Sequence, residues 1–176
     1  SILAIKGNFG HVYTSFGTPV MLTHHLDNHN PNWLIQEYDD TYRPGWIKDT
    51  VNDIAEHIMV NINRAAHVNA INLVSTVLLA TPKQHMDEAQ LASMIDIYSS
   101  IINSLDYSSK IKVVSLSGTE QVKRAESLKR VKRRKHKMGD IIYLDSKNSV
   151  LLTYYRNNIL HLTALPSVIA CCFNNT

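Results

Sequence analysis

The sequence predicts a mostly α-helical fold with two short β-strands. Apolar residues recur at intervals of three and four over four long stretches. Alternation is confined to a short run near His11, a brief apolar run stands at Ile141 to Leu144, and glycine or proline stands close to the ends of most segments. With 176 residues, 44% of them apolar and 19% charged, the chain can bury a real core, and neither disorder nor low complexity fits.

The elements follow in order. His11 to Phe16 alternates before Gly17-Thr18-Pro19 and predicts a short strand ended by a turn. Residues 21–45 are polar and rich in His, Asn, Asp and Pro, a long connection with a helical turn around His24 to His29. Asp49 or Thr50 is placed to cap the next helix. Its apolar face runs through Val51, Ile54, Ala55, Ile58, Ile62, Ala65 and Ala66. The pattern continues to Ala80 as one long helix or as two with a bend near His67, and Pro82 ends it. Asp87 to Leu105 forms another helix, with Leu91, Met94, Ile95, Tyr98, Ile101 and Ile102 inward, and residues 107–119 read as loop. Glu120 to His136 is predicted as a third helix with a narrow stripe of Val122, Ala125, Leu128 and Val131, stopped by Gly139. Ile141 to Leu144 is a short strand. Asp145 or Ser146 caps a last helix that reaches Phe173 and is kinked by Pro166.

Charge is unevenly distributed. Residues 123–137 hold nine Lys/Arg against Glu126 alone, a net +8, while the rest of the chain is at −5. Three readings of this run stay open: a solvated helix face, attraction to anionic lipid headgroups, and nucleic-acid binding. No aromatic residue interleaves the run, which counts against the last. In the final helix, Tyr154, Asn158, His161 and Leu165 share a face. Arg156 points the other way, among Leu152, Ile159 and Thr163, and is expected to support structure between two layers, with substrate contact as the rival role.

Several chemistries lack their motif. No His with a second His at i+4 and Glu between, no phosphate-binding glycine loop and no nucleophile elbow is present, so no metal site is expected. His24, His25 and His29 read as surface residues of a polar loop. Cys171 and Cys172 are adjacent, which favours small apolar side chains on a helix and a reducing compartment. No stretch approaches the roughly 18 apolar residues of a membrane span.

Longer strings carry a resemblance. They are Gly139 to Leu144, Thr153-Tyr-Tyr-Arg-Asn-Asn-Ile-Leu-His161, Leu165-Pro-Ser167, Ser15 to Pro19, Arg43 to Trp46, Thr50 to Ala55, Met59 to Asn63, Asn69 to Leu73 and Leu78 to Ala80. In this order they resemble the large, membrane-associated bacterial glycerol-3-phosphate acyltransferases, over essentially the whole chain. The resemblance implies transfer of a fatty acyl group from acyl-CoA or acyl-carrier protein to sn-glycerol 3-phosphate, giving lysophosphatidate for phospholipid synthesis, with no cofactor beyond the acyl donor. Its catalytic signature is a His with Asp five residues on, and none of the nine histidines has that partner. The family's phosphate-binding motif is missing as well. No catalytic residue is therefore expected here; the His/Asp pair is expected upstream.

On this reading residues 1–45 hold the last strand and connection of an α/β acyltransferase domain, and residues 46–176 an incomplete helical C-terminal region. The chain is expected to be an excised, inactive and mainly structural piece. Its expected partners are the upstream catalytic domain, anionic membrane lipids and an acyl-carrier protein, with no nucleic acid. Its expected place is the periphery of the bacterial inner membrane, on the cytoplasmic face. The binding candidates are Arg156 and, at the membrane surface, Lys132, Arg133 and Arg134. The alternative from another class is a basic, nucleic-acid-binding helical module.

Overall fold

The computed structural model describes residues 11–37, 39 and 41–174. It is mostly helical with short strands and falls into two compact units. The smaller comprises residues 14–65; the larger comprises residues 66–174 with residues 11–13.

The smaller unit pairs α1 (Leu22–His29) with α2 (Gly45–Arg64). Neither Asp49 nor Thr50 caps α2, which already begins at Gly45 behind Pro44. Thr50 lies inside it, 3% exposed, and its hydroxyl donates to the Trp46 carbonyl at 2.9 Å. His25 is buried, and its Nδ1 meets Asp53 Oδ2 at 2.7 Å. Much of the apolar face of α2 is exposed, including Val51, Ile58, Met59 and Ile62.

The strand expected over His11 to Phe16 does not form. These residues have no strand partner among the described residues, and Val12 and Phe16 are exposed. Alternation alone supplies a face; a strand also needs a neighbour for its backbone groups.

In the larger unit β1 (His67–Val68) separates α2 from α3 (Ala70–Ala80), so the long periodic stretch is two helices. Asn69 caps α3 by accepting from the amides of Ile71 and Asn72, and Asn72 returns a bond to the Asn69 amide. Every α3 residue from Ala70 to Leu78 is buried. A helix apolar on all sides belongs at the centre of a layer packing. It is covered by α4 (Glu88–Ser104), α5 (Gly118–Ser127) and α6 (Ser146–Asn157). Leu73, Leu78, Leu91, Ile95, Val122, Leu152 and Ile142 form the fully buried centre. Asn72 also donates to the Tyr155 carbonyl at 2.6 Å, which ties α6 to α3.

Two small sheets flank the helices. β1 pairs in parallel with β3 (Lys112–Val113). β5 (Ile141–Tyr143) lies between β2 (His85–Asp87) and β4 (Lys132–Arg134), antiparallel to both. Gly139 turns the chain from β4 to β5 at φ +122°, and a Cβ there would sit 2.3 Å from Asp87 Oδ2.

The helix expected over Glu120 to His136 is corrected by β4. α5 ends at Ser127 in a reversal with Lys129 left-handed at φ +56°. The Lys129 amide donates to the Glu126 carbonyl and the Arg130 amide to that of Ala125, the two bonds of a Schellman closure. The expected stripe is core: Val122, Ala125, Leu128 and Val131 are all buried, so none of them is available to enter a headgroup layer.

The last segment is also two helices, α6 and α7 (Leu160–Asn174). Its break lies at Asn158–Ile159, ahead of Pro166, which sits inside α7. Turn bonds from Ile159 to Arg156 and from Leu162 to Ile159 re-aim the chain, and both Ile159 and Leu162 reach the core. The remainder of α7 shows Leu165, Val168 and Ile169 to solvent, with both unbridged cysteines exposed.

Candidate functional site

Of the three cations expected to act together at a surface, two are engaged by carboxylates of the larger unit. Arg133 projects from β4 toward three carboxylates from three elements. Its Nε and Nη2 donate to the two Glu126 oxygens at 2.8 and 2.7 Å. Nη2 also reaches Glu88 Oε1 at 2.8 Å, and Nη1 bonds Asp140 Oδ2 at 2.9 Å and Glu88 Oε2. The side chain is 23% exposed. The guanidinium holds Glu88 and Asp140 below the usual carboxylate range, and these partners push its own pKa further up. Lys132 pairs with Asp145 at 2.9 Å, and that carboxylate raises its pKa. Arg134 is exposed and has no ion pair among the described residues. Alternation along β4 turns Arg133 to the opposite side from Lys132 and Arg134, and of those two Lys132 has a carboxylate, that of Asp145, within reach.

Arg156 is half-buried and donates from Nε and Nη2 to Asn157 Oδ1 at 3.3 and 3.1 Å. These hydrogen bonds are local, and the break after Asn157 separates Arg156 from Ile159 and Thr163, its expected neighbours on one continuous helix, while Leu152 stays on the same helix.

The cations that line a cavity are different ones. Between the starts of α3 and α5 and the segment around Val114 lies a space of about 840 Å³. Lys123, Arg124 and Arg130 edge it, and Val12, Tyr13, Ile71, Leu116, Leu128 and Tyr155 supply apolar surface. Tyr13 stacks on His67 with centroids 3.5 Å apart, which fixes one wall. Glu120 also lines it, but its carboxylate is bound by the Ser117 hydroxyl and amide at 2.7 and 2.8 Å, and those bonds hold its pKa down.

In the smaller unit, Asp53 Oδ2 lies 2.7 Å from His25 and 3.4 Å from His29. The His25 bond lowers the Asp53 pKa. His57 meets His25 edge-on at 5.3 Å. His25 is thus a packed residue of the unit's interior, where a surface loop residue was expected. Among the described residues no group of three or more His, Cys, Asp or Glu is arranged to hold a metal.

The described histidine–aspartate pairs, His25 and His29 with Asp53, belong to the smaller unit, and none of these residues lines the cavity. The family model described as the C-terminal region of glycerol-3-phosphate acyltransferase matches residues 1–176. The chain belongs to this family. Glycerol-3-phosphate acyltransferases of Pseudomonas paraeruginosa and Ectopseudomonas mendocina are 38% and 37% identical to it over 172 and 173 residues, and that of Pseudomonas fluorescens strain SBW25 is 36% identical over 173. Each match covers 98% of this chain and 21% of the relative, so the chain spans about a fifth of their length.

As a glycerol-3-phosphate acyltransferase C-terminal region, the chain agrees with the strings from Ser15 to Ser167 that carried the resemblance. Sequence reasoning did not separate Lys123, Arg124 and Arg130 from the rest of the basic run. One signal was available: Ser117 and Glu120 stand at capping-box spacing and start α5 at Gly118, before the run begins. That these cations share a cavity with the start of α3 and residues 11–13 is a tertiary fact that no local pattern shows.

Proposed function

We propose that this chain is the structural C-terminal part of an enzyme that transfers a fatty acyl group from acyl-CoA or acyl-carrier protein to sn-glycerol 3-phosphate, giving lysophosphatidate. The family match over all 176 residues is the observation that carries this reading. The missing His/Asp signature supports assigning the chemistry to the remainder of the longer protein. The apolar surface of α7 supports a packing role: Leu165, Val168 and Ile169 are the kind of surface a catalytic domain covers. Purified chain given acyl-CoA and glycerol 3-phosphate is expected to form no lysophosphatidate above a heat-killed control. Turnover would place the catalytic residues within residues 1–176 and overturn the assignment.

The proposed location is the cytoplasmic face of the bacterial inner membrane. No helix among the described residues is long and apolar enough to cross a membrane. Lys129, Arg134, Lys135 and Lys137 are exposed and support a peripheral contact with anionic lipid, each worth about 1 kcal/mol near such a surface. The full-length protein is expected to cosediment with anionic vesicles, and neutralising these four residues is expected to weaken that binding at least tenfold. Equal cosedimentation with zwitterionic vesicles, or displacement by duplex DNA, would sink the contact.

A further inference from the structure

The cavity between α3 and α5 has a composition that the scaffolding role does not use. Its wall is apolar on several sides, from Val12, Tyr13, Ile71, Leu116, Leu128 and the Tyr155 side. Its edge carries three cations, Lys123, Arg124 and Arg130. None of the three makes an ion pair among the described residues, unlike Lys132 and Arg133 on the neighbouring strand. The single acid at the edge, Glu120, is tied to Ser117 by two hydrogen bonds. Lys123 acts at longer range on Glu88 and Glu120 and lowers their pKa values, but no carboxylate closes on any of the three cations as on Arg133, and the lining keeps three cations against one acid. A space of about 840 Å³ falls in the upper part of the range that encloses small-molecule ligands, about 300–1,000 Å³.

We infer that this cavity binds a single-chain anionic amphiphile, with a phosphomonoester head at Lys123, Arg124 and Arg130 and an alkyl chain along Val12, Ile71, Leu116 and Leu128. The head is chosen by charge. A phosphomonoester carries about −1.5 to −2 at neutral pH, which balances the edge, whereas a carboxylate balances half of it. Two arginines also suit phosphate, because each guanidinium offers paired donors. A chain covers the exposed apolar surface of Val12, Tyr13 and Leu116, which an inorganic anion would leave facing water. Tyr13 is held against His67 by stacking, and burial keeps the His67 pKa below its usual value, so this wall stays neutral at physiological pH. The inference does not depend on where acyl transfer takes place, since the cavity lies wholly within the larger unit of this chain.

The test is photoaffinity labelling of the full-length protein with an oleoyl lysophosphatidate bearing a diazirine on the chain, the labelled peptides being mapped. Label is expected on peptides holding Val12, Tyr13, Leu116 or Tyr155, regardless of any label at the catalytic centre. In a variant with Lys123→Gln, Arg124→Gln and Arg130→Gln, labelling of those peptides is expected to fall at least tenfold, at an unchanged melting temperature. Unlabelled lysophosphatidate is expected to compete, and lysophosphatidylcholine of the same chain is not. Label confined to other peptides would overturn the inference, and would mean that the cavity is closed by another part of the protein. Equal competition by lysophosphatidylcholine would remove the anionic head from it, and equal competition by oleate would remove the phosphomonoester. Should the triple variant not fold, the peptide map and the three competitors decide the matter with the natural protein alone.

Discussion

Gly118→Ala is expected to destabilise the larger unit by about 3 kcal/mol or to prevent its folding. A Cβ at this position would lie 2.0 Å from the Ala92 carbonyl oxygen, 2.6 Å from its carbon and 2.8 Å from the Ala92 Cα. All three are backbone atoms, so no side chain can turn aside. α4 cannot retreat either, because Leu91 and Ile95 on both sides of Ala92 are fully buried. The Gly118 amide also donates to Asp96 Oδ1 at 2.7 Å, which fixes the start of α5 against α4 from the other direction. Overpacking a closed contact costs about 1–3 kcal/mol, at the upper end where backbone meets backbone. Denaturant unfolding of the variant beside the natural chain measures the loss. An unchanged midpoint would show that the two helices are not in this close contact.

Arg133→Gln is expected to cost about 2–3 kcal/mol at pH 7. An exposed ion pair contributes at most about 1 kcal/mol, while breaking a buried one costs about 3–5. Arg133 is 23% exposed and neutralises three carboxylates, so its removal leaves Glu88, Glu126 and Asp140 facing one another. The pH dependence has a definite sign. Glu88 and Asp140 have depressed pKa values in the folded chain because of Arg133. Their contribution is present above the unfolded carboxylate range near pH 4 and is lost as the pH falls through the depressed folded values. The variant lacks that contribution, and protonation relieves its repulsion. The difference between natural and variant chain is therefore expected to narrow steadily below about pH 4. Arg133→Lys keeps the charge but loses the paired donors, and is expected to restore about half of the lost stability. A pH-independent difference would rule out the carboxylates as its source.

The sequence made the helical core legible wherever local pattern and tertiary burial agree. Of the expected inward set, Leu91, Ile95 and Ile102 are buried and Met94, Tyr98 and Ile101 half-buried, Asp87 caps α4, Asp145 caps α6, and Pro82 follows the end of α3. The failures share one cause. At Lys129 a lysine takes the left-handed position usually held by glycine, so the end of α5 carries no local mark. At Asn158 the chain turns because Ile159 and Leu162 have a core to enter, and Pro166 drew attention to the wrong place. At His11 to Phe16 the alternation was real, but no partner strand exists among the described residues. The site divides in the same way. That residues 123–137 are basic was plain. Which of them are neutralised within the fold depends on Glu88 and Asp140, brought in from α4 and from the turn before β5.

The parallel join between β1 and β3 rests on the Lys112 amide donating to the Ala66 carbonyl and the Val114 amide to that of Val68. Both donors are main-chain groups, and the Lys112 side chain is exposed. The join is therefore nearly silent in the genetic text: almost any codon at 112 or 114 preserves it, and only one for proline, which has no amide hydrogen, erases a bond. What trace the join leaves lies on its inner side, where Val68 is fully buried and Val113 packs against the core.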